Sequence, residues 1–397
     1  MEDLIYKDFK AIFNGHTPPY SFLFLDELDK NIDLSLKRAG DKQIRVATKS
    51  VRSKDVLKYL AQKLGNRFNG FMCFHLDEVL WLSEHFKTSF LMGYPQKPNE
   101  VQARKLAQRV QAGHEIIFMV DSTEQLEHLN RIGEMFSVKF EYCLDLDMSL
   151  KLPGLNFGVF RSPLDNQNKV DQLVSKLKDY EHVSCVGLMG YEAQIAGVRD
   201  KLYDNFLLDF VVGLLKSFSV KKVYQLRAYA TKKASELFKL KFVNGGGTGS
   251  LEVTAKDHSV TEITVGSGYF APALFDGYDK RFHPALGYAM AVQRRPSESM
   301  FTVHGGGYVA SGAVGRDKAP VIISPKGASL IKNEMAGEVQ TPVEYKGLQK
   351  IELGDPVFFR HSKAGELLER FKDILVVREG KIQETWKSYR GEEKCFL

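Results

Sequence analysis

From about residue 43 the sequence alternates short β-branched or aromatic runs with longer segments of helical period, a pattern that restricts the chain to βα units. Strands are predicted over residues 43–48, 70–75, 89–92, 116–120, 140–144, 183–188, 239–243 and 263–265. Amphipathic helices are predicted over 54–64 (Val56, Leu57, Leu60, Leu64), 123–136 (Leu126, Leu129, Ile132, Phe136) and 166–179 (Val170, Leu173, Val174, Leu177). Eight strands joined by helical crossovers predict an α/β fold, a closed (β/α)8 TIM-type barrel, with an open doubly wound sheet as the alternative.

After about residue 270 the pattern becomes Gly-rich with short strands, as in FTVHGGGYVASGAVG and GDPVFFRHSK, which predicts a C-terminal mainly-β domain. Residues 22–25 precede the first barrel strand and are expected to pair into that second region. The resulting division is 1–30 as an N-terminal segment, 31–275 as the barrel and 276–397 as the β domain.

At 397 residues, 44% hydrophobic and 26% charged, the chain has ample material for two cores. A net charge of +6, spread rather than clustered, gives no footprint for nucleic acid. The longest apolar stretch, residues 206–215, is interrupted by Asp209 and falls short of the roughly 20 residues a bilayer span needs. The amino terminus, MEDLIYKDFK, lacks signal-peptide character, so a cytoplasmic protein is expected. Cys73, Cys143, Cys185 and Cys395 form no CxxC pair, and the first three lie in strand-like runs as small buried hydrophobes.

Barrels of this type collect function at the carboxyl ends of their strands. Here those ends carry Thr48-Lys49-Ser50, Gly93-Tyr94-Pro95, Asp121, Asp145 and Asp147, Gly190-Tyr191-Glu192, and two Gly-rich turns, 244–250 and 266–269. Gly-rich turns after the last two strands aim backbone N–H groups at a single anion, which predicts a phosphate cup. Lys49 faces that cup, and desolvation in a barrel mouth would favour its neutral, nucleophilic amine. The turns match neither GxGxxG nor GxxxxGK[ST], and the HGGG run at His304 has no GxSxG elbow to serve, so dinucleotide, P-loop and esterase readings are disfavoured.

Taken together, IRVATKSVRS, VFRSPL, GLMGYEAQIAGV, NGGGTGS, EITVGSGYFAPALFD, GEVQTP and RHSKAGEL resemble the fold-type III pyridoxal-phosphate enzymes. The similarity is to their D-serine dehydratase and D-threonine aldolase branch, in a subgroup labelled amino-acid deaminase/aldolase. The resemblance implies pyridoxal 5'-phosphate held by Lys49 as a Schiff base, with Arg45 preceding it in the family's R-x-x-x-K pattern. It implies cofactor contacts from Tyr191, from Gly246, Gly247 and Thr248, and from Gly266, Ser267, Gly268 and Tyr269. Arg161 resembles the arginine near the cofactor phenolate and substrate carboxylate. A head-to-tail homodimer with shared active sites and a small amino-acid substrate are also implied.

Two positions depart from the family. Val51 stands where its lyases usually carry a histidine, and His361-Ser362-Lys363 replaces the H-x-C or H-x-D pair that binds a divalent metal. A protonated ammonium does not ligate a cation, so no metal ligand is assigned. Instead, Lys363 is expected to supply positive charge at the metal's place while His361 handles a substrate hydroxyl. Glu338 and Glu366 are candidate acid–base groups, and Asp121 and Asp147 are read as structural. The expected activity is cleavage or dehydration of a D-3-hydroxy amino acid. Two alternatives are an amino-acid racemase, with a tyrosine such as Tyr308 as its second base, and a cofactor-binding protein without turnover.

Overall fold

The computed structural model describes residues 1, 3–199, 206–312 and 315–397, so Ala313 and Val314 of the Gly-rich run lie outside the described residues. The chain divides into two units. One comprises Ser35–Lys49, Leu60–Gly266 and Phe396–Leu397, and the other Met1–Leu34, Ser50–Tyr59 and Ser267–Cys395.

The first unit is a closed barrel. Its strands are Gln43–Ala47, Phe68–Cys73, Ser89–Met92, Glu115–Val120, Phe140–Asp145, Val183–Gly190, Phe242–Gly245 and Glu262–Val265. Each pairs in parallel with its neighbours, and the last strand closes onto the first through Thr264↔Arg45. Leu91, Ile117, Met119, Cys143, Val186, Met189 and Phe242 fill a buried cluster, as expected of a barrel packed with side chains rather than open as a pore.

Local chemistry sets the crossovers. Ser122 caps the helix Thr123–Phe136 by accepting from the Gln125 N–H, and that helix buries Leu126, Leu129 and Ile132 before Ser137 ends it in a left-handed conformation. Predicted helices 54–64 and 123–136 are found over those residues, whereas 166–179 divides into the helix Gln167–Val174 and a 3-10 turn, Leu177–Asp179. The second strand begins and ends earlier than predicted because His75 leaves the sheet to cap the helix Leu76–Leu82 through its ring nitrogen. The seventh strand shifts the other way, since Lys241 turns outward to pair with Glu115 and Glu141.

A charged pair sits inside the barrel wall. The Arg45 guanidinium is 1% exposed and bidentate on Glu262, with further bonds to the Phe71 carbonyl and Ser89 Oγ. Asn244 and Asn69 donate to the same carboxylate, so every face of the buried charge meets a partner.

The second unit carries a nine-stranded, mainly antiparallel sheet. Tyr20–Phe24 pairs antiparallel with Leu286–Ser297 and parallel with Asp373–Arg378, while Leu25 begins the helix Leu25–Arg38. Phe9, Phe13, Phe22 and Phe358 pack over the sheet, with ring centroids of 4.7 Å for Phe9–Phe358 and 4.9 Å for Phe13–Phe22. Residues 206–215 fall in the helix Phe206–Ser235, and no helix among the described residues is long and apolar enough to cross a membrane.

Candidate active site

In the barrel unit, three of the predicted residues converge on a fourth. Lys49 sits in the 3-10 turn Thr48–Ser50 directly after the first strand, anchored by the Thr48 Oγ1 bond to the Met72 carbonyl. Its Nζ donates to Tyr94 Oη at 2.8 Å. The Arg161 guanidinium carbon lies 5.8 Å from the Tyr94 ring centroid and 5.4 Å from that of Tyr191, within cation–π range of both. Lys49, Arg161 and Tyr191 thus share one mouth through Tyr94. Sequence reading had noted Tyr94 only as a strand-end residue; the signal for its role was its place in the Gly-Tyr-Pro turn after the third strand.

Lys49 is exposed in the single chain, where desolvation had been expected. The cause is its position two residues beyond the strand end at Ala47, from which a four-carbon stem carries the amine clear of the packed interior.

Behind Arg161 lie three carboxylates. Asp145 is 8% exposed, and burial, reinforced by the charge of Asp121, pushes its pKa up to about 7 despite the opposing Arg161. Burial likewise raises Asp121. Asp147 accepts from the Ser149 N–H and pairs with Lys151, in keeping with a structural role. Tyr191 is raised by burial, with Arg161 acting against the shift.

The glycine turn after the seventh strand is shaped by Glu192, another residue that sequence reading left without a role. Its carboxylate accepts from Gly246 N–H at 2.9 Å, from the Thr254 hydroxyl and from Arg227 at 3.1 Å, and Arg227 is also paired with Asp257 at 2.5 Å. All of these side chains are buried. Gly246 has φ +82, which favours glycine, and a Cβ on Gly247 would come within 3.0 Å of the Tyr191 ring and of Ala196. The Gly247 N–H is held by Ser250 Oγ. Gly246 and Gly247 therefore make the close turn, and Thr248 starts the short 3-10 segment that leads into the helix Leu251–Ala255. Gly266 follows the eighth strand directly. Arg45, in the barrel interior, has its guanidinium engaged by Glu262 as described.

In the second unit, Ser267, Gly268 and Tyr269 form a 3-10 turn. Ser267 Oγ lies 3.3 Å from Ser50 Oγ, and the fully buried Tyr269 offers its carbonyl to Asn31. His361 and Lys363, two residues apart, occupy different surroundings. His361 is 2% exposed beside Phe270, and burial pulls its pKa down to about 3, with the Arg360 charge adding to the effect. Its ring nitrogens make no well-aligned hydrogen bond among the described residues, and the Leu286 backbone opposes the shift only weakly. Lys363 reaches outward instead, donating to Ser311 Oγ at 2.8 Å, while Glu366 accepts from the Ser311 N–H at 2.9 Å. Tyr308 packs on Tyr288 and Phe371, and its pKa is raised by burial.

A lysine amine, an arginine and an aromatic face brought together at one barrel mouth from several strand ends and loops, with a tight glycine turn beside them, fit an anionic, planar, carbonyl-bearing cofactor.

Comparison with known proteins is consistent with this architecture. The chain resembles the crystal structure of a D-threonine aldolase from Filomicrobium marinum at 17% identity and TM-score 0.76, covering 93% of this chain and 94% of that one. It resembles a D-threo-3-hydroxyaspartate dehydratase from Delftia sp. HT23 at 15% identity and TM-score 0.73, over 94% and 98% of the two chains. An alanine racemase from Clostridium difficile 630, in complex with cycloserine, aligns at 14% identity and TM-score 0.66, over 94% and 98%. At these identities the likeness is one of fold. No curated protein sequence matches the chain. The family described as alanine racemase, N-terminal domain, matches residues 23–235, more than half of the chain, and to that family this protein belongs.

Proposed function

We propose that the chain is a pyridoxal-phosphate enzyme, a lyase acting on a D-3-hydroxy amino acid by aldol cleavage or by dehydration and deamination. The observation that carries this reading is the Lys49 amine at the barrel mouth, 2.8 Å from Tyr94 Oη, with Arg161 over the adjoining rings. Pyridoxal phosphate, when bound, withdraws electrons from the α-carbon of the amino acid.

The chain's own residues do the rest. Lys49 would hold the cofactor through its amine, and its Nζ would accept or return a proton. Arg161 binds the carboxylate or the cofactor's phenolate oxygen, and Tyr191 presents a flat, buried face to the ring. The turn shaped by Gly246 and Gly247, with Thr248, and the turn Gly266–Tyr269 hold the phosphate. Arg45 supports the first strand from within the barrel. His361, kept neutral by burial, acts as a hydrogen-bonding group for the 3-hydroxyl. Lys363, which reaches outward to Ser311, is the positive charge proposed in place of a divalent metal. By the family resemblance the enzyme is a cytoplasmic homodimer with shared active sites.

The family match favours a racemase as the second reading. It needs a second base facing Lys49 across the α-carbon, for which Tyr308 of a second copy is the candidate.

The test is to record the visible absorbance of the purified protein. D- and L-serine, threonine and 3-hydroxyaspartate are then assayed for carbonyl product and for inversion, with and without chelator. The lyase reading expects a coloured protein that forms carbonyl product from a D-3-hydroxy amino acid and loses its colour with Lys49→Ala. Inversion without carbonyl product would select the racemase. A protein that stays colourless when supplied with pyridoxal phosphate would overturn both.

A further inference from the structure

Tyr94 is held in place from both sides, independently of Lys49. Before it, Gly93 donates its N–H to the Cys73 carbonyl at 2.7 Å, and a Cβ at that position would press to 3.0 Å on Met72 and 3.1 Å on the Cys73 oxygen. After it, Pro95 disfavours a helical conformation at Tyr94. Gln96 then ties the loop down, accepting from the Leu76 N–H at 3.0 Å and donating to the Phe74 carbonyl at 3.0 Å. The half-buried Tyr94 thus extends from an anchored stretch of backbone, whereas Lys49 is an exposed amine on a flexible stem.

Two functional groups use the Tyr94 side chain in different ways. Lys49 bonds to the hydroxyl, and Arg161 lies over the ring. Resting on the cofactor reading above, we propose that Tyr94 is the positioning residue of this site. Its Oη aims the Lys49 amine at the incoming aldehyde, and its ring seats Arg161 for the anionic part of the ligand. The hydroxyl acts on orientation, so it speeds only reactions that demand a particular approach. Capture of the aldehyde is such a reaction: the amine adds to the carbonyl carbon, the C=N bond forms and water leaves.

The experiment uses the full chain freed of cofactor, with Tyr94→Phe and Tyr94→Ala. Tyr94→Phe deletes the hydroxyl and keeps the ring under Arg161. Three probes are compared, with adducts located at Lys49 by peptide mass spectrometry after borohydride treatment. With pyridoxal phosphate, Tyr94→Phe captures the aldehyde roughly three- to tenfold more slowly than the parent, the effect of one lost hydrogen bond. With trinitrobenzenesulfonate, a small reagent that needs no fixed approach, Lys49 in Tyr94→Phe labels roughly threefold faster, because the amine is released. With 4-deoxypyridoxine 5'-phosphate, which lacks the aldehyde, Tyr94→Phe binds within about twofold of the parent while Tyr94→Ala binds roughly two- to fivefold more weakly, the range of an exposed cation–π contact.

Aldehyde capture at the parent rate in Tyr94→Phe overturns the proposal. So does parallel slowing of both amine reactions, which would mean that the hydroxyl governs the basicity of the amine. If the parent forms no adduct at Lys49, the cofactor reading fails by itself. The sulfonate labelling still decides whether Tyr94 restrains the lysine, and equal labelling rates would deny it.

Discussion

Removing the Glu192 carboxylate is expected to loosen the glycine turn through its bond to Gly246 N–H. Glu192 accepts from Gly246 N–H, from Thr254 and from Arg227, and it is 1% exposed. Glu192→Ala leaves the Arg227 charge shared with Asp257 alone and strips Gly246 of its acceptor, a loss of about 4 kcal/mol by analogy with other broken buried pairs. Gly246 N–H and Arg227 share one Glu192 oxygen, so Glu192→Gln keeps an acceptor for both by turning its amide toward Thr254, and losing only the charge is expected to cost about half as much. Hydrogen exchange resolves the difference. Amides of residues 242–250 should exchange on the order of 10²- to 10³-fold faster in Glu192→Ala, since each 1.4 kcal/mol is a factor of ten. In Glu192→Gln the Gly246 amide should stay the better protected. Retention of pyridoxal phosphate should fall in the same order. Equal, unchanged exchange in both variants would refute the assignment of the turn to Glu192.

Two further predictions concern pH. Asp145 is raised to about 7 in the folded chain, so burial disfavours its ionised form; the penalty is absent below about pH 4, grows through the interval and is full above pH 7. Asp145→Asn should therefore stabilise the protein at pH 8 by on the order of 2–4 kcal/mol and leave it nearly unchanged at pH 4, as read from denaturant midpoints; equal shifts at both values would contradict the buried charge. His361 is lowered to about 3, so the unfolded chain takes up its proton first and stability is lost as pH falls from about 6.5 toward 3. His361→Phe should flatten that acid limb, and an unchanged limb would show that the imidazole is not held neutral.

The barrel was legible because short β-branched or aromatic runs alternate with longer segments of period 3.6, a contrast that reads without knowledge of neighbours. Strand ends were less legible, since His75 and Lys241 are placed by capping and by pairing across the sheet rather than by their own propensity. Lys49 and Tyr191 could be picked from strand-end motifs and Arg161 from the family resemblance alone, and the three share one mouth. Tyr94 and Glu192 could not be ranked from sequence, because their importance lies in contacts with residues 45 and 54 positions away. The exposure of Lys49 was likewise invisible, depending on how far a turn carries one side chain past the strand end.

Arg45 and Glu262 lie on the first and last strands of the barrel, 217 positions apart in sequence and one hydrogen-bonded ladder apart in space. They straddle the seam where the ring of strands shuts. A chain that has folded seven strands has already enclosed a guanidinium whose counter-charge has yet to arrive, and an unmatched buried charge costs several kcal/mol. Incomplete barrels are thereby penalised, and docking of the final strand removes the penalty in one step. The pair acts as a check on closure: this barrel is expected to form as a whole ring, with fragments lacking residues 262–265 unable to hold the remaining strands in native register.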